Sequence, residues 1–429
     1  MHPAREPGFD VRLVLVSIMR LHMPGMSWTD HTFQVPLDHD DPASPHIEVF
    51  ARELVAGPEP RPDLPMLLFL QGGPGMRADR PTSSSAWLSK ALTLYRVLLL
   101  DQRGTGRSTP ATRQSLARFP DPKAQAEYLR HFRADAIVRD AELIRGRLLR
   151  DEPWSVLGQS YGGFCATTYL SFAPRGLREV MITGGLPGLT AHADDVYRAA
   201  YPRIISHNER YFSRYPGDEG VVERVLEHLR DGDYPLSPQR FRMVGTMLGH
   251  SRRFDEIHFL LEDAFLGDQL SDRFLRGVDD VVSQATYPLY AVMHESIYCQ
   301  ESASNWSAHR VLGEFEEFES GTNLFGELVF PWMFDEDPAL RPLKACADEL
   351  AARDDWPRLY DVDQLARNKV PVAAAVYYDD LYVDRGHSLQ TAGVIRGLKP
   401  WITNEFVHNG LGEDERVFQR LHAMVRGEI

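Results

Sequence analysis

A serine set between two glycines, Gly158-Gln-Ser-Tyr-Gly162, is the grouping in this chain with the most direct chemical meaning. A serine hydroxyl is a weak nucleophile until a base takes its proton and a carboxylate orients that base. Gly-x-Ser-x-Gly spacing belongs to a very tight strand-to-helix turn, in which flanking side chains would collide and Ser160 Oγ is lifted clear at the start of the next helix. The setting fits, because the apolar residues 154–157 precede the turn, the helical stretch 164–172 follows it, and Gly163 leaves room for helix to pack on strand. A chance match in a glycine-containing loop would lack that setting.

In a site of this kind the acid and the base follow the serine in that chain order. Residues 370–376 form a late apolar run, and Asp379 and Asp380 come directly after it. Asp380 is the preferred acid, because Asp380-Leu-Tyr-Val383 gives the Asp-x-x-Val run of an acid turn; the other aspartate reads as a solvated turn carboxylate. Beyond the acid, His387 is too near to reach the next strand's loop, and His422 falls on the last helix as a surface side chain. His408 follows the strand-like residues 401–407 and opens the turn His408-Asn-Gly-Leu411, where a base belongs. Gly72-Gly-Pro-Gly75 ends another apolar run, 65–70. Pro74 has no N–H, which leaves Gly73 to form an oxyanion hole with the amide of Tyr161.

Those residues need a scaffold of buried strands. Residues 46–54 alternate as an exposed antiparallel strand does, whereas 65–70, 97–100, 154–157 and 180–183 are short apolar runs of a parallel sheet. Ile137, Ala141, Ile144 and Leu148 mark one stripe of an intervening helix, with Asp135 as its N-cap. The alternation predicts an α/β fold with a mostly parallel sheet. From residue 189 the pattern turns helical and charged (Val222, Val225, Leu226, Leu229), and strand character returns at 370. The expected division is an N-terminal extension over 1–25, core over 26–188, an inserted helical cap over 189–360 and core again over 361–429. Met23 and Met26 are both candidate start residues.

Composition limits the partners. The 429 residues carry 47 Lys and Arg against 61 Asp and Glu, a net charge of −14, which is not the footprint of a nucleic-acid binder. Residues 13–18 are too short an apolar run to span a membrane and do not have the form of a secretory signal. Cys165, Cys299 and Cys346 are isolated thiols with no CxxC pair, so a soluble, cytoplasmic protein is expected. No metal-ligand spacing stands out, and no cofactor is expected.

Together, Gly72-Gly-Pro-Gly75, Asp101-Gln-Arg-Gly-Thr-Gly-Arg107, Gly158-Gln-Ser-Tyr-Gly-Gly163 and the late Asp380/His408 pair resemble the proline iminopeptidases (prolyl aminopeptidases) of the α/β-hydrolase superfamily, in their longer bacterial subgroup. One departure is Gln71, where many relatives have histidine; a backbone donor role is indifferent to it. The resemblance implies an α/β-hydrolase core with a helical cap and release of N-terminal proline from peptides. It further implies cap carboxylates that receive the free imino terminus. His294-Glu-Ser-Ile-Tyr298 is similar to the family's cap segment, so Glu295 is carried over as substrate-binding, with Glu327 as the second acid. Tyr287, Tyr290, Tyr298, Trp306, Phe325 and Trp332 would then supply an apolar slot for the pyrrolidine ring. Two other readings share much of this pattern. A carboxylesterase or amide hydrolase would use the same triad without cap carboxylates, and an inactive hydrolase fold would serve only as a binding module. Dehalogenases and epoxide hydrolases need a carboxylate where Ser160 stands.

Overall fold

The computed structural model describes residues 20–83, 86–250, 253–319 and 321–429. The first 19 residues of the expected N-terminal extension lie outside this range. Within it, Arg20–Met23 forms β1 and pairs antiparallel with β2 (Met26–Pro36), which pairs in turn with β3 (His46–Ala56). β1 and β2 gave no clear signal in the sequence, because they sit at the edge of the sheet and mix polar with apolar residues.

The centre of the sheet follows the apolar runs. β4 (Met66–Leu70), β5 (Arg96–Leu100), β6 (Trp154–Gln159), β7 (Leu177–Thr183) and β10 (Val372–Tyr377) are buried along nearly their whole length, as strands covered on both faces must be. Between β7 and β10 a small hairpin, β8 (Phe265–Leu266) with β9 (Gln269–Leu270), stands apart from this sheet. β11 (Leu398–Thr403) closes the far edge, and the order of the nine strands is β1-β2-β3-β5-β4-β6-β7-β10-β11. Pairings from β5 through to β11 are parallel, with Val372 of β10 opposite Val180 of β7. The chain changes direction across the sheet between β5 and β6, with β4 in the middle. Ligands of such sheets bind at the carboxyl ends of the strands flanking that switch, here the ends of β4 and β6.

The helix Ala134–Leu149 buries the predicted stripe, including Ile137, Ala141 and Ile144. Its N-cap is Arg133, without a side-chain capping bond, and Asp135 lies inside the first turn. The expected Asp135 cap is therefore corrected; an acid in the first turn favours the helix through its dipole instead. The helix Tyr161–Phe172 is buried from Tyr161 through Ser171.

The Asp101–Arg107 block fixes loops. Asp101 accepts N–H bonds from Ala78 at 3.2 Å and Arg107 at 2.9 Å, and it also pairs with Arg80. Arg103 is buried against Asp140 at 2.6 and 2.7 Å and donates to the carbonyls of Leu37 and His131. Gln102 Nε2 donates to the Gln71 carbonyl at 2.9 Å, which pins the start of the Gly72–Gly75 loop.

Between β7 and β10 the chain is mainly helical, including Ala193–Arg214, Asp218–Asp231, Asp272–Val282 and Lys344–Ala352. Val222, Val225, Leu226 and Leu229 are all buried, so the helical stripe read from the sequence is a packing face. Among the described residues no helix is long and apolar enough to cross a membrane.

Candidate active site

β6 ends at Gln159, and Ser160 takes φ +53° and ψ −125° before the helix opens at Tyr161. That backbone conformation is costly for a residue with a side chain and persists only where the surroundings impose it. They do so here through the Ser160 N–H, which donates to the Thr183 carbonyl at 3.0 Å, and the Ser160 carbonyl, which accepts from Gly163 N–H at 2.7 Å. A Cβ on Gly162 would overlap the Leu70 carbonyl, and one on Gly158 would overlap the Gly162 carbonyl. The glycines of the motif are thus required by the close approach of backbone to backbone.

Asp380 follows β10 and is 2% exposed. Its Oδ1 accepts from the N–H groups of Tyr382 at 2.9 Å and Val383 at 3.1 Å. His408 Nδ1 lies 3.0 and 2.9 Å from the two carboxylate oxygens. With Nδ1 donating to a carboxylate, Nε2 is the basic nitrogen of a neutral ring. The Tyr382 ring meets the imidazole edge-on at 4.7 Å. Asp379 faces elsewhere, its carboxylate 3.2 Å from Arg210 and its carbonyl 3.0 Å from His207 Nε2. The structure therefore brings Asp380, not its neighbour, to the histidine.

His408 reaches its place by a longer loop than the sequence implied. β11 ends at Thr403, where the Thr403 hydroxyl accepts the Glu405 N–H at 3.2 Å and turns the chain out of the sheet. The strand expected over 401–407 is corrected accordingly. Two contacts tie this loop to the Ser160 turn. Gln159 Nε2 donates to Asn409 Oδ1 at 2.7 Å. A Cβ on Gly184 would sit 3.2 Å from His408 Nδ1, and one on neighbouring Gly185 would overlap the Ser160 carbonyl. His387 instead donates its N–H to Asp384 at the start of the helix Arg385–Val394, and His422 packs against Tyr95 and Phe418.

The Gly72–Gly75 loop lies against the serine, since a Cβ on Gly72 would stand 3.1 Å from Ser160 Cβ. Neither the Gly73 N–H nor the Tyr161 N–H donates to another described residue. At Gly75 the same loop touches the insertion, where an added Cβ would come within 2.6 Å of Tyr290 N.

The two glutamates differ. Tyr290 Oη donates to Glu327 Oε1 at 2.9 Å. Burial pushes Glu327 up to about 6, with His408 pulling the other way and Asp380 adding to the rise, so Glu327 stands in electrostatic reach of the His408–Asp380 pair. On His408 itself burial opposes a charge, but the adjacent Asp380 and then Glu327 overcome it and raise the pKa. Glu295 is 6% exposed, and its oxygens accept the N–H groups of Ser307 at 3.0 Å and Ala308 at 2.9 Å. Burial raises its pKa against those bonds. Of the aromatic side chains expected in the slot, Tyr290 and Tyr298 feel the Glu327 charge. Phe325 and Trp332 both pack on Phe330, and Trp306 on Phe334. Tyr382, Gln159 and Asn409 escaped the sequence reading because ring contacts and long-range amide bonds leave no local pattern.

Fold and site geometry together define an α/β-hydrolase, and residues 65–216 match the family model described as alpha/beta hydrolase fold. The chain is 46% identical over 411 residues to a proline iminopeptidase of Aeromonas sobria, covering 93% of this chain and 96% of that protein. It is 37% identical over 401 residues to a proline iminopeptidase of Aspergillus aculeatus, covering 88% of this chain and 89% of that one. This protein belongs to the proline iminopeptidase family.

Proposed function

We propose that this protein is a serine exopeptidase that releases N-terminal proline from peptides through an acyl-enzyme on Ser160. His408 Nε2 takes the hydroxyl proton as Oγ attacks the prolyl carbonyl, and Asp380 faces the imidazolium that forms. The N–H groups of Gly73 and Tyr161 receive the oxyanion. The imidazolium then gives its proton to the departing amine, and the same histidine activates the water that frees proline. Residues 189–360 act as a cap over this centre.

The observation that carries the proline reading is Glu327, a carboxylate held by Tyr290 in reach of His408. Simple ester hydrolysis has no use for an acid there. A protonated proline terminus presents two N–H donors, and desolvating it costs several kcal/mol unless an anion accepts them. Both Glu295 oxygens already hold backbone N–H groups, which favours Glu327 as the receptor and Glu295 as a support of the cap. This ranks the two carboxylates opposite to the expectation from the resemblance. A cytoplasmic site of action, without nucleic-acid or membrane partners, accords with the net charge of −14 and with free, buried Cys165, Cys299 and Cys346.

The test is turnover of Pro-β-naphthylamide, its N-acetyl derivative and p-nitrophenyl acetate. Wild type is expected to cleave the free amine and the ester but not the acetylated amide. Glu327→Gln should lose about 10- to 100-fold on the free amine and only a few-fold on the ester, since only the first brings a cation. Comparable cleavage of the acetylated amide, or equal losses on both substrates, would remove Glu327 from substrate recognition.

The pH profile gives a separate check. Acylation needs neutral His408, so kcat/KM on the ester should fall as pH drops through a pKa above the ordinary histidine value of about 6.5. Glu327 helps hold that pKa up. Glu327→Gln should therefore move the acid limb to lower pH. A limb that stays in place would disconnect the two groups.

A further inference from the structure

Arg133 belongs to the core by sequence, at the start of the helix Ala134–Leu149, yet its side-chain hydrogen bonds reach residues 163 to 224 positions further along the chain. It is wholly buried. Nη1 donates to the carbonyls of Ser296 at 3.1 Å and Cys299 at 2.6 Å, and Nη2 donates to that of Pro357 at 2.7 Å. The guanidinium lies over the Trp356 ring at 4.4 Å. Its nearest carboxylate oxygen, Asp135 Oδ1, is 3.9 Å from Nε, outside hydrogen-bond range. Carbonyl dipoles, one ring face and the Asp135 charge thus stabilise this buried cation, an arrangement that suits a planar five-donor guanidinium better than an ammonium.

The identity of those carbonyls matters. Residues 296–299 directly follow Glu295 and include Tyr298, whose ring meets Phe164 at 6.0 Å. Phe164 stands on the helix that opens with Tyr161, and the two rings are in contact at 6.2 Å. Pro357 lies on the return path from the insertion to the sheet, three residues before buried Tyr360. One side chain therefore grips both the Glu295–Tyr298 turn and the exit of the insertion, one helix away from the nucleophile.

We propose that Arg133 is a positioning residue for the reaction: by fixing the carbonyls of Ser296, Cys299 and Pro357 on the core, it sets how the cap that carries Glu327 seats over Ser160. The inference rests on reading residues 189–360 as a cap over a proline-specific site. It differs from a purely structural role in predicting a loss that depends on the substrate. Losing part of the folded population lowers every rate alike, whereas a displaced cap penalises only the substrate that touches it.

The experiment compares Arg133→Met and Arg133→Lys in the full chain, with active sites counted by fluorophosphonate titration. Per titrated site, Arg133→Met should lose about tenfold or more in kcat/KM on Pro-β-naphthylamide, mainly through KM, while p-nitrophenyl acetate changes by less than about threefold. Arg133→Lys should recover part of the loss. Amide hydrogen exchange should quicken over 295–299 and 356–360 and stay unchanged over 161–172. If Arg133→Met does not fold, Trp356→Leu keeps the guanidinium, removes the ring beneath it, and should shift the substrate ratio in the same direction. An unchanged ratio between the two substrates, with unchanged exchange over 295–299, overturns the proposal. A wild type active on the ester but inert on the proline amide would fail the parent reading instead, and the exchange comparison would still decide the role of Arg133.

Discussion

Ser160→Ala is expected to lose turnover of Pro-β-naphthylamide by roughly 10⁴-fold or more while the protein stays folded. The reason lies in the separation between the turn and the hydroxyl. Gly158 and Gly162 allow the tight approach, and the bonds from Ser160 N–H to Thr183 and from Gly163 N–H to the Ser160 carbonyl are backbone bonds. Alanine keeps all of them and accepts the same φ of +53° at similar cost. Only Oγ disappears, and with it the acyl-enzyme; the residual rate comes from the oxyanion donors and from binding. Steady-state turnover and a thermal melt check this together. A folded variant that keeps more than about a hundredth of the activity would require another nucleophile.

Asp380→Asn should be nearly as severe, with a loss of about 10⁴-fold, whereas Asp379→Asn should cost no more than a few-fold. The Asp380 carboxylate accepts three N–H groups, from Tyr382, Val383 and His408 Nδ1. An asparagine has one acceptor oxygen and brings an NH₂ donor. If that oxygen keeps the two backbone bonds, the NH₂ turns to His408 and makes Nδ1 the acceptor. The ring proton then sits on Nε2, where the serine proton has to go. Asp379 carries no such burden, since its carboxylate faces half-exposed Arg210. Kinetics of the two variants on one substrate settle the ranking, and a reversal would move the acid to Asp379.

Much of this arrangement is legible in the chain because it is local. The short apolar runs within β4 to β7 and β10, the glycines around Ser160 and the order of serine, acid and base each follow from a few neighbouring residues and a short-range steric rule. The boundaries that shift do so for tertiary reasons. Residues 404–407 look like strand, but the Thr403 hydroxyl ends β11 and frees them to carry His408 back toward Ser160. The Asp101–Arg107 block is conspicuous as a motif, yet its work of tethering loops shows only in bonds to Ala78, Asp140 and Gln71. Glu295 and Glu327 are indistinguishable as letters. One caps Ser307 and Ala308 and the other is held by Tyr290 within the field of His408, and that difference depends on how the insertion packs. Arg133 is harder still to read, with bonded partners as far as 224 residues away in sequence.

The pairing of Val180 with Val372 has a consequence for how the protein is made. β7 is buried along almost its entire length, but the strand that covers its free edge is not synthesised until the whole of residues 184–371 has emerged. At ribosomal speeds of ~5–20 residues per second, that exposes an unpaired, aggregation-prone strand edge for roughly ten to forty seconds. The insertion must condense first and draw its two ends together, because closing so long a loop as loose chain carries an entropic penalty that a single strand pair offsets poorly. Ser160 is made before this interval, Asp380 and His408 after it. On the proposed mechanism, the nascent protein therefore holds Ser160 in its turn without a base until the last two strands dock, and hydrolytic competence arrives only once Asp380 and His408 are in place.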